Sequence, residues 1–282
     1  MAVYTLNNNP KFLDMVDLIP NIPFSEPDGE TLAMQIIKPR WSSGGNGFPL
    51  VLFIQGSGWT KPNQFWQLPQ WCMLAQRGYV IASVTHRSCL NAPAPAFLKD
   101  VKTSLRFLRA HAKKYDIDKE RVCAFGTSSG GNTALLLGLT QNDPAFETEE
   151  WAGESTAVQA VVDCFGPTDI DRLIQRNPSL DERRRALTAN GSPEITRQIS
   201  PIRYVKPGLS LPPFMVLHGD ADELVPIEES ETFYQALVEN GYKADFVRVT
   251  NAEHEASFWS MEVIELIFSF IEKHIGMAAE SH

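Results

Sequence analysis

The chain has 282 residues, of which 43% are hydrophobic and 21% are charged, and its formal net charge is -9. This composition is typical of a globular protein with a large core. The acidic balance argues against binding to nucleic acid or to an anionic membrane surface, because both need a basic patch. None of the four cysteines lies in a C-x-x-C or other metal-ligand spacing, so no metal site is expected.

The N-terminal segment, residues 1–10, is polar and lacks the basic and apolar regions of a signal peptide. No stretch of about 18 consecutive apolar residues is present, so no transmembrane helix is expected. These two observations predict a cytoplasmic protein.

Short apolar runs bounded by turn residues predict β-strands along the chain. They lie at Leu32–Ile37, Leu50–Gln55, Tyr79–Val84, Val122–Phe125, Ala160–Phe165, Phe214–His218 and Ala244–Val249. Most are nearly continuous rather than alternating, as expected for strands buried on both faces. Apolar residues at helical spacing occupy segments between the strands, at 96–113, 132–140, 228–240 and 258–274. This alternation predicts an α/β fold, with a mostly parallel central sheet and helices on both faces.

Residues 166–211 interrupt the alternation, with several prolines and a short charged helix predicted at 181–189. The segment lies between two strand runs. We therefore predict a helical cap or insertion over the carboxyl edge of the sheet, within a single domain that spans residues 1–282. Because parallel sheets bind ligands at that edge, catalytic residues are expected directly after strands.

The candidate nucleophile is Ser128, at the centre of Gly-Thr-Ser-Ser-Gly-Gly at 126–131. This sequence fits the pattern G-x-S-x-G, and a strand run precedes it while a helical run follows it. Flanking glycines permit a very sharp turn, which exposes the serine hydroxyl at the start of a helix. Ser129 is the competing nucleophile, but only Ser128 has glycines two residues away on both sides.

The candidate general base is His254, in a polar loop between the last strand and the last helix. A serine needs a base to take its proton, and in hydrolases with this turn the acid and then the base follow the serine along the chain. Of the other histidines after Ser128, His218 ends a strand run, His274 lies on the terminal helix and His282 is the last residue. His254 alone satisfies both order and location.

The acid is expected between nucleophile and base, after another strand. The run 214–218 is followed by Gly-Asp-Ala-Asp-Glu-Leu-Val-Pro, which offers Asp220, Asp222 and Glu223. Asp222 is favoured because apolar residues anchor the loop behind it, whereas Asp220 is more typical of a turn residue. Its carboxylate would hold the imidazole tautomer and stabilise the imidazolium.

An oxyanion hole requires backbone N–H groups that point at the tetrahedral oxygen. One candidate donor is Ser129, directly after the nucleophile. The others are Ser57 and Gly58, in the sequence Gln-Gly-Ser-Gly-Trp at 55–59 that follows an early strand. A simple glycine turn is the alternative interpretation of this loop.

Two further side chains are candidates for substrate contact. Trp59 follows the oxyanion loop, and packing on the sheet is its equally supported alternative. His86 follows the run 79–84 at the carboxyl edge. For the pair His86 and Arg87, the favoured alternative is a structural arginine that pairs with Asp100.

Together these segments resemble the α/β-hydrolase superfamily, within it the hormone-sensitive-lipase-like branch, and most closely the bacterial bifunctional acetyl-xylan/feruloyl esterases. The resemblance covers most of the chain and includes residues 53–60, 83–88, 96–102, 106–110, 126–132, 165–169 and 218–226 and the loop with His254. It implies hydrolysis of acetyl or aromatic acyl esters of plant-wall sugars, without a cofactor. The sequence departs from the family at Gln55, Ser57 and Ser129, which replace a histidine, a glycine and an alanine.

The sequence thus predicts a serine carboxylesterase that acts on a small-molecule ester, such as an acetylated or feruloylated sugar, by a Ser-His-Asp acyl-enzyme mechanism. An amidase or arylformamidase-like hydrolase on the same triad is the second hypothesis, and a non-catalytic ligand-binding hydrolase fold is the third. The sequence leaves the oligomeric state open, with a homodimer as one candidate.

Overall fold

A computed structural model gives the structure of residues 1–176 and 182–276. Within these residues, one central sheet has the strand order β1-β2-β4-β3-β5-β6-β7-β8. The strands are β1 (Val16–Ser25), β2 (Leu32–Pro39), β3 (Phe48–Ile54), β4 (Val80–Val84), β5 (Ile117–Thr127), β6 (Ala160–Cys164), β7 (Phe214–Gly219) and β8 (Ala244–Val249). From β4 to β8 across the sheet, neighbours are parallel, whereas β2 is antiparallel to β1 and to β4. The predicted α/β fold with a mostly parallel sheet is confirmed.

Helices cover both faces of this sheet. They are α1 (Leu68–Ala75), α2 (Ala96–Ala110), α3 (Ala112–Tyr115), α4 (Ser129–Thr140), α5 (Ile170–Arg176), α6 (Glu182–Leu187), α7 (Pro193–Gln198), α8 (Glu228–Glu239) and α9 (Met261–Ile275). In the described parts of the chain, none is long and apolar enough to cross a membrane.

Strand β3 shows why its sequence is continuously apolar. Leu50 and Leu52 join the hydrophobic cluster that contains residues of α2, α4 and α8. Val51 and Phe53 point to the opposite face and join the cluster that contains residues of α1 and α9. Because successive side chains of a strand point to opposite faces, a strand covered on both faces needs apolar residues at every position.

All seven predicted strands are present, and β1 is the strand that the sequence analysis missed. Its sequence contains Pro20 and Pro23, which weaken a strand prediction. The strand pairs only with β2, at the edge of the sheet, and its register shifts between Ile19 and Ile22. An edge strand tolerates proline because one of its sides needs no backbone N–H donor. Helix α1 was also missed, because it has only eight residues.

The segment 166–211 contains α5, α6 and α7, between β6 and β7. The helix predicted at 181–189 corresponds to α6, and Asp181 lies outside the described residues. Pro167, Leu173 and Leu187 from this segment line a cavity that also contains Ser128. Residues of this segment therefore form part of the wall of the candidate site.

Candidate active site

Ser128 occupies a sharp turn between β5 and α4. Its backbone has φ 51° and ψ −124°, a left-handed conformation that is strained for any residue with a side chain. The turn is fixed by a hydrogen bond of 2.8 Å from Ser128 N–H to the carbonyl of Cys164. A Cβ on Gly126 would lie 2.0 Å from the carbonyl oxygen of Gly130, and a Cβ on Gly130 would lie 2.0 Å from that of Ile54. Both glycines are therefore required by the packing of the turn.

A chain of two hydrogen bonds joins Ser128, His254 and Asp222. The Ser128 Oγ lies 2.9 Å from His254 Nε2, and His254 Nδ1 lies 2.6 Å from Asp222 Oδ2. A carboxylate only accepts hydrogen bonds, so Nδ1 carries the hydrogen and Nε2 of the neutral ring accepts from the serine hydroxyl. In this tautomer the imidazole is ready to take the proton of Ser128.

Asp222 is held in place by backbone groups as well. Its Oδ1 accepts the N–H groups of Leu224 at 2.9 Å and Val225 at 2.8 Å. Burial by itself raises the pKa of Asp222, but hydrogen bonds from His218, His254 and Val225 outweigh burial and hold the pKa well below its usual range. The carboxylate therefore stays ionised opposite His254.

Among the described residues, neither of the two competing carboxylates of this loop is hydrogen-bonded to His254. Asp220 Oδ1 accepts the N–H of Asn251 at 2.6 Å and so ties its turn to the loop that holds His254. Glu223 is exposed to solvent. Of the three candidates, the structure places Asp222 beside the imidazole.

His218 belongs to this network and was passed over in the sequence analysis. Its side chain is fully buried, and Nε2 lies 3.2 Å from Asp222 Oδ2 and 2.8 Å from the carbonyl of Val225. Because both partners of Nε2 are acceptors, Nε2 carries the hydrogen, and Nδ1 accepts from the hydroxyl of Ser230 at 2.6 Å. The sequence signal was a histidine at a strand end, four residues before the candidate acid.

The candidate oxyanion loop follows β3. Gly56 N–H donates to Thr127 Oγ1 at 2.9 Å, and Ser57 N–H donates to Ser129 Oγ at 2.9 Å. Gly58 lines the same cavity as Ser128 and Ser129. Of the two candidate amides in this loop, that of Ser57 therefore already has a protein acceptor. Gln55 anchors the loop, because its Oε1 accepts the N–H of Asn63 at 2.6 Å.

The cavity beside Ser128 has a volume of about 110 Å³. Most of its lining is apolar, and the only charged side chain in the described part of the lining is Arg184. The lining residues are Gly58, Trp59, Ser128, Ser129, Pro167, Leu173, Arg184, Leu187, Leu224 and Val225. Trp59 thus reaches the cavity, although it is only 8% exposed and also packs near Phe97.

His86 was a candidate for substrate contact, but its side chain is buried outside the described lining of the cavity. It is 1% exposed, its ring lies near Phe97, and it is not among the described residues that line the cavity. The alternative interpretation of this segment fits the structure, because Arg87 Nη2 lies 2.8 Å from Asp100 Oδ1. Position at a strand end located His86 at the correct edge of the sheet but did not give the direction of its side chain.

Residues 34–237 match the family model described as BD-FAE, over more than half of the chain. The chain belongs to the BD-FAE family. This agrees with the resemblance to acetyl-xylan/feruloyl esterases that the sequence motifs indicate. All of the site residues named above except His254 lie within the matched region.

This BD-FAE chain is also similar to curated proteins of Mycobacterium tuberculosis. It is 33% identical to "Esterase LipC" over 195 residues, and this alignment covers 67% of this chain and 48% of LipC. It is 31% identical over 197 residues to "Probable carboxylic ester hydrolase LipM", over 67% of this chain and 44% of LipM. The chain therefore spans about half the length of these relatives.

Solved structures share the fold of this BD-FAE chain. A bifunctional GH43-CE protein from Bacteroides eggerthii has a TM-score of 0.80 and 28% identity, over 94% of this chain and 39% of that one. A thermophilic esterase from the Planctomycetes species Thermogutta terrifontis has a TM-score of 0.77 and 23% identity, over 93% and 94% of the two chains. At this lower identity, the likeness shows the fold.

Proposed function

We propose that the protein is a serine carboxylesterase, with Ser128 as nucleophile, His254 as general base and Asp222 as the acid that orients the base. The observation that carries this proposal is the pair of hydrogen bonds, 2.9 Å and 2.6 Å long, that joins the three side chains beside a cavity. The names of the mycobacterial relatives support ester hydrolysis as the reaction.

The geometry fits transfer of an acyl group to water in two steps. Ser128 Oγ attacks the ester carbonyl carbon while His254 Nε2 takes the hydroxyl proton, and Asp222 stabilises the imidazolium that forms. His254 then gives this proton to the departing alcohol, which leaves an acyl group on Ser128. In the second step a water molecule loses a proton to His254 and attacks the acyl carbonyl. The bond from the acyl carbon to Ser128 Oγ then breaks, His254 returns the proton to Oγ, and the acid leaves.

The negative charge that develops on the carbonyl oxygen needs donors on the wall of the cavity. The N–H groups of Gly58 and Ser129 are the backbone candidates, because both residues line the cavity next to Ser128. Ser129 is also the first residue of α4, a helix of 12 residues. The positive end of the helix dipole adds to the stabilisation of an anion at this position.

The cavity favours a short acyl group, and acetyl is our first choice. Its volume of about 110 Å³ lies well below the roughly 300–1,000 Å³ of sites that take drug-sized ligands. A feruloyl group would need further opening of the wall that α6 contributes, so it is the alternative. For the alcohol we propose a small acylated sugar, since the sequence motifs resemble those of acetyl-xylan/feruloyl esterases and the neighbour from Bacteroides eggerthii, 28% identical, is named a bifunctional GH43-CE protein.

A panel of esters that differ only in the acyl group, from acetyl to octanoyl with feruloyl added, tests this proposal on the wild type and on Ser128→Ala. We expect turnover confined to the short chains and a fall in kcat of at least about 10³-fold in the variant. Circular dichroism of the variant controls for folding, and an amide with the same acyl group separates esterase from amidase activity. Substantial esterase activity in folded Ser128→Ala would show that another residue is the nucleophile.

A further inference from the structure

The side chain that follows the nucleophile is itself part of the candidate oxyanion site. Ser129 is only 2% exposed, and it lines the cavity together with Ser128 and Gly58. Its Oγ lies 2.9 Å from the backbone nitrogen of Ser57, which donates the hydrogen bond. One candidate oxyanion donor, the Ser57 amide, is thus already hydrogen-bonded to the side chain of a residue that lines the cavity.

The Ser57 amide is held in this orientation by other contacts. Ser57 Oγ donates to the carbonyl of Thr60 at 2.5 Å, and Thr60 Oγ1 donates back to the carbonyl of Ser57 at 2.7 Å. The preceding residue, Gly56, is bonded through its N–H to Thr127 Oγ1. The loop is therefore fixed on both sides of the Ser57 amide, which limits any movement of this N–H toward a substrate oxygen.

The Ser129 hydroxyl has one hydrogen to donate, because an O–H group donates once and accepts up to twice. Within residues 1–176 and 182–276, its oxygen accepts from Ser57 and donates to no protein group. Acceptance of a hydrogen bond polarises the O–H bond and strengthens the bond that it donates. The group is thus prepared to donate to an acceptor that arrives in the cavity.

We propose that the Ser129 hydroxyl is an oxyanion donor, which receives the Ser57 N–H and passes its own hydrogen bond to the carbonyl oxygen of the substrate. The hole then consists of Gly58 N–H, Ser129 N–H and Ser129 O–H. The chemistry rests on the proposed esterase function, because that reaction places an oxyanion beside Ser128. In the competing interpretation, the hydroxyl is only a cap on the Ser57 amide. Its hydrogen bond from the Ser57 N–H must then break before that N–H can bind the oxyanion directly.

Ser129→Ala separates the two interpretations, because it removes the hydroxyl and frees the Ser57 N–H. Loss of one oxyanion donor commonly lowers kcat by about 10²–10³-fold. We expect a fall in kcat of about 10- to 100-fold, since water can replace part of the hydroxyl's role, with KM for an acetyl ester within about twofold of wild type. Ser129→Cys, which keeps a weak donor, should fall between the two.

Ser104→Ala is the matched control, because Ser104 is also fully buried and, among the described residues, its Oγ bonds only the carbonyl of Val101 in the same helix. It should retain wild-type kcat, and thermal unfolding of all variants shows whether each is folded. A folded Ser129→Ala variant with kcat within twofold of wild type, or higher, would overturn the proposal in favour of the cap. Should Ser129→Ala not fold, a wild-type kcat in Ser129→Cys would overturn it equally.

The rate of labelling by a fluorophosphonate provides a readout that does not depend on the choice of ester. Attack of Ser128 on phosphorus also places negative charge on an oxygen in the same hole, and fluoride leaves. We expect Ser129→Ala to label about 10-fold or more slowly than wild type. If the wild type is labelled but hydrolyses no ester, the proposed esterase function is refuted, and the labelling rates still test the role of Ser129. Equal labelling rates of wild type and Ser129→Ala would refute the Ser129 proposal.

Discussion

The buried imidazole of His218 lies 3.2 Å from the carboxylate oxygen Oδ2 of Asp222. The same oxygen faces His254 on its other side, at 2.6 Å. His218 is in turn bonded to Ser230 on α8, so the candidate acid is connected through one buried ring to the helix behind it. The carboxylate is therefore fixed by two backbone amides and two imidazoles, and it has little freedom to turn away from His254.

We predict that His218→Ala lowers both stability and activity. The substitution leaves the buried Ser230 hydroxyl and the Val225 carbonyl without this partner, and each such loss costs about 1–3 kcal/mol of unfolding free energy. The remaining bonds still orient Asp222, so kcat should fall by only about tenfold, which corresponds to roughly 1.4 kcal/mol in the barrier.

The pH profile distinguishes positioning of Asp222 from a loss of folding. Because the His218 hydrogen bond lowers the pKa of Asp222, its removal raises that pKa, and activity should be lost at a higher pH on the acid side. The pH dependence of kcat/KM and urea unfolding, measured on wild type, His218→Ala and Ser230→Ala, test this. An unchanged acid limb in folded His218→Ala would mean that His254 and the backbone amides together are enough to set the ionisation state of Asp222.

A second prediction concerns Asp163, a buried carboxyl on β6. It is fully buried, accepts only the N–H of Gly166 at 3.0 Å among the described residues, and burial raises its pKa to about 8. Between about pH 4 and pH 8 the folded protein therefore keeps a proton that the unfolded chain releases. Stability should fall as pH rises through this window, by up to about 1.4 kcal/mol per pH unit.

Asp163→Asn isolates this effect, because the amide is neutral at every pH and similar in shape. Urea unfolding from pH 5 to pH 8.5 should show the variant gaining stability relative to wild type as pH rises. Asp245→Asn, at an exposed position on β8, serves as the control and should follow the wild-type curve. A constant difference between Asp163→Asn and wild type across this range would contradict a protonated Asp163.

A third prediction follows from the backbone of Ser128. Its φ of 51° and ψ of −124° are strained for serine or alanine, but glycine adopts them without a side-chain clash. Strain of this kind costs about 1–3 kcal/mol. Glycine relieves the strain, but its greater conformational freedom in the unfolded chain offsets part of that gain in stability. Ser128→Gly should therefore be about 1 kcal/mol more stable than Ser128→Ala, while both lack activity. Denaturant midpoints decide, and a less stable Ser128→Gly would show that the turn holds no such strain.

The candidate nucleophile turn could be recognised from the sequence because its packing requirements fall on two glycines at a fixed spacing from Ser128. Gly126 and Gly130 are required by contacts with the backbone of the same turn and of the neighbouring strand, and the pattern G-x-S-x-G records them directly. The strands were recognisable for a similar reason, because burial on both faces makes each one a continuous apolar run.

What the sequence could not show depends on side-chain direction and on contacts between distant segments. Ser57 and Ser129 are 72 residues apart, and only the folded sheet brings the amide of one to the hydroxyl of the other. His86 and His218 both follow or end strands at the carboxyl edge, yet one lies near Phe97 and the other bonds the candidate acid. Both histidines have the same position relative to a strand in the sequence. The orientation of each ring is set by packing, which the sequence pattern does not show.

The last prediction concerns Leu187, which α6 places in the wall of the cavity. It is 2% exposed, and its side chain limits the space beside Ser128. Leu187→Ala should enlarge this space, so that longer acyl chains gain about 0.8 kcal/mol, or roughly fourfold in kcat/KM, for each additional buried methylene. Leu209→Ala, at a position that is 44% exposed and outside the described lining, should leave the preference unchanged. Chain-length profiles from acetyl to octanoyl esters test this, and an unchanged profile in Leu187→Ala would place the acyl group against another wall, leaving α6 to contact the alcohol.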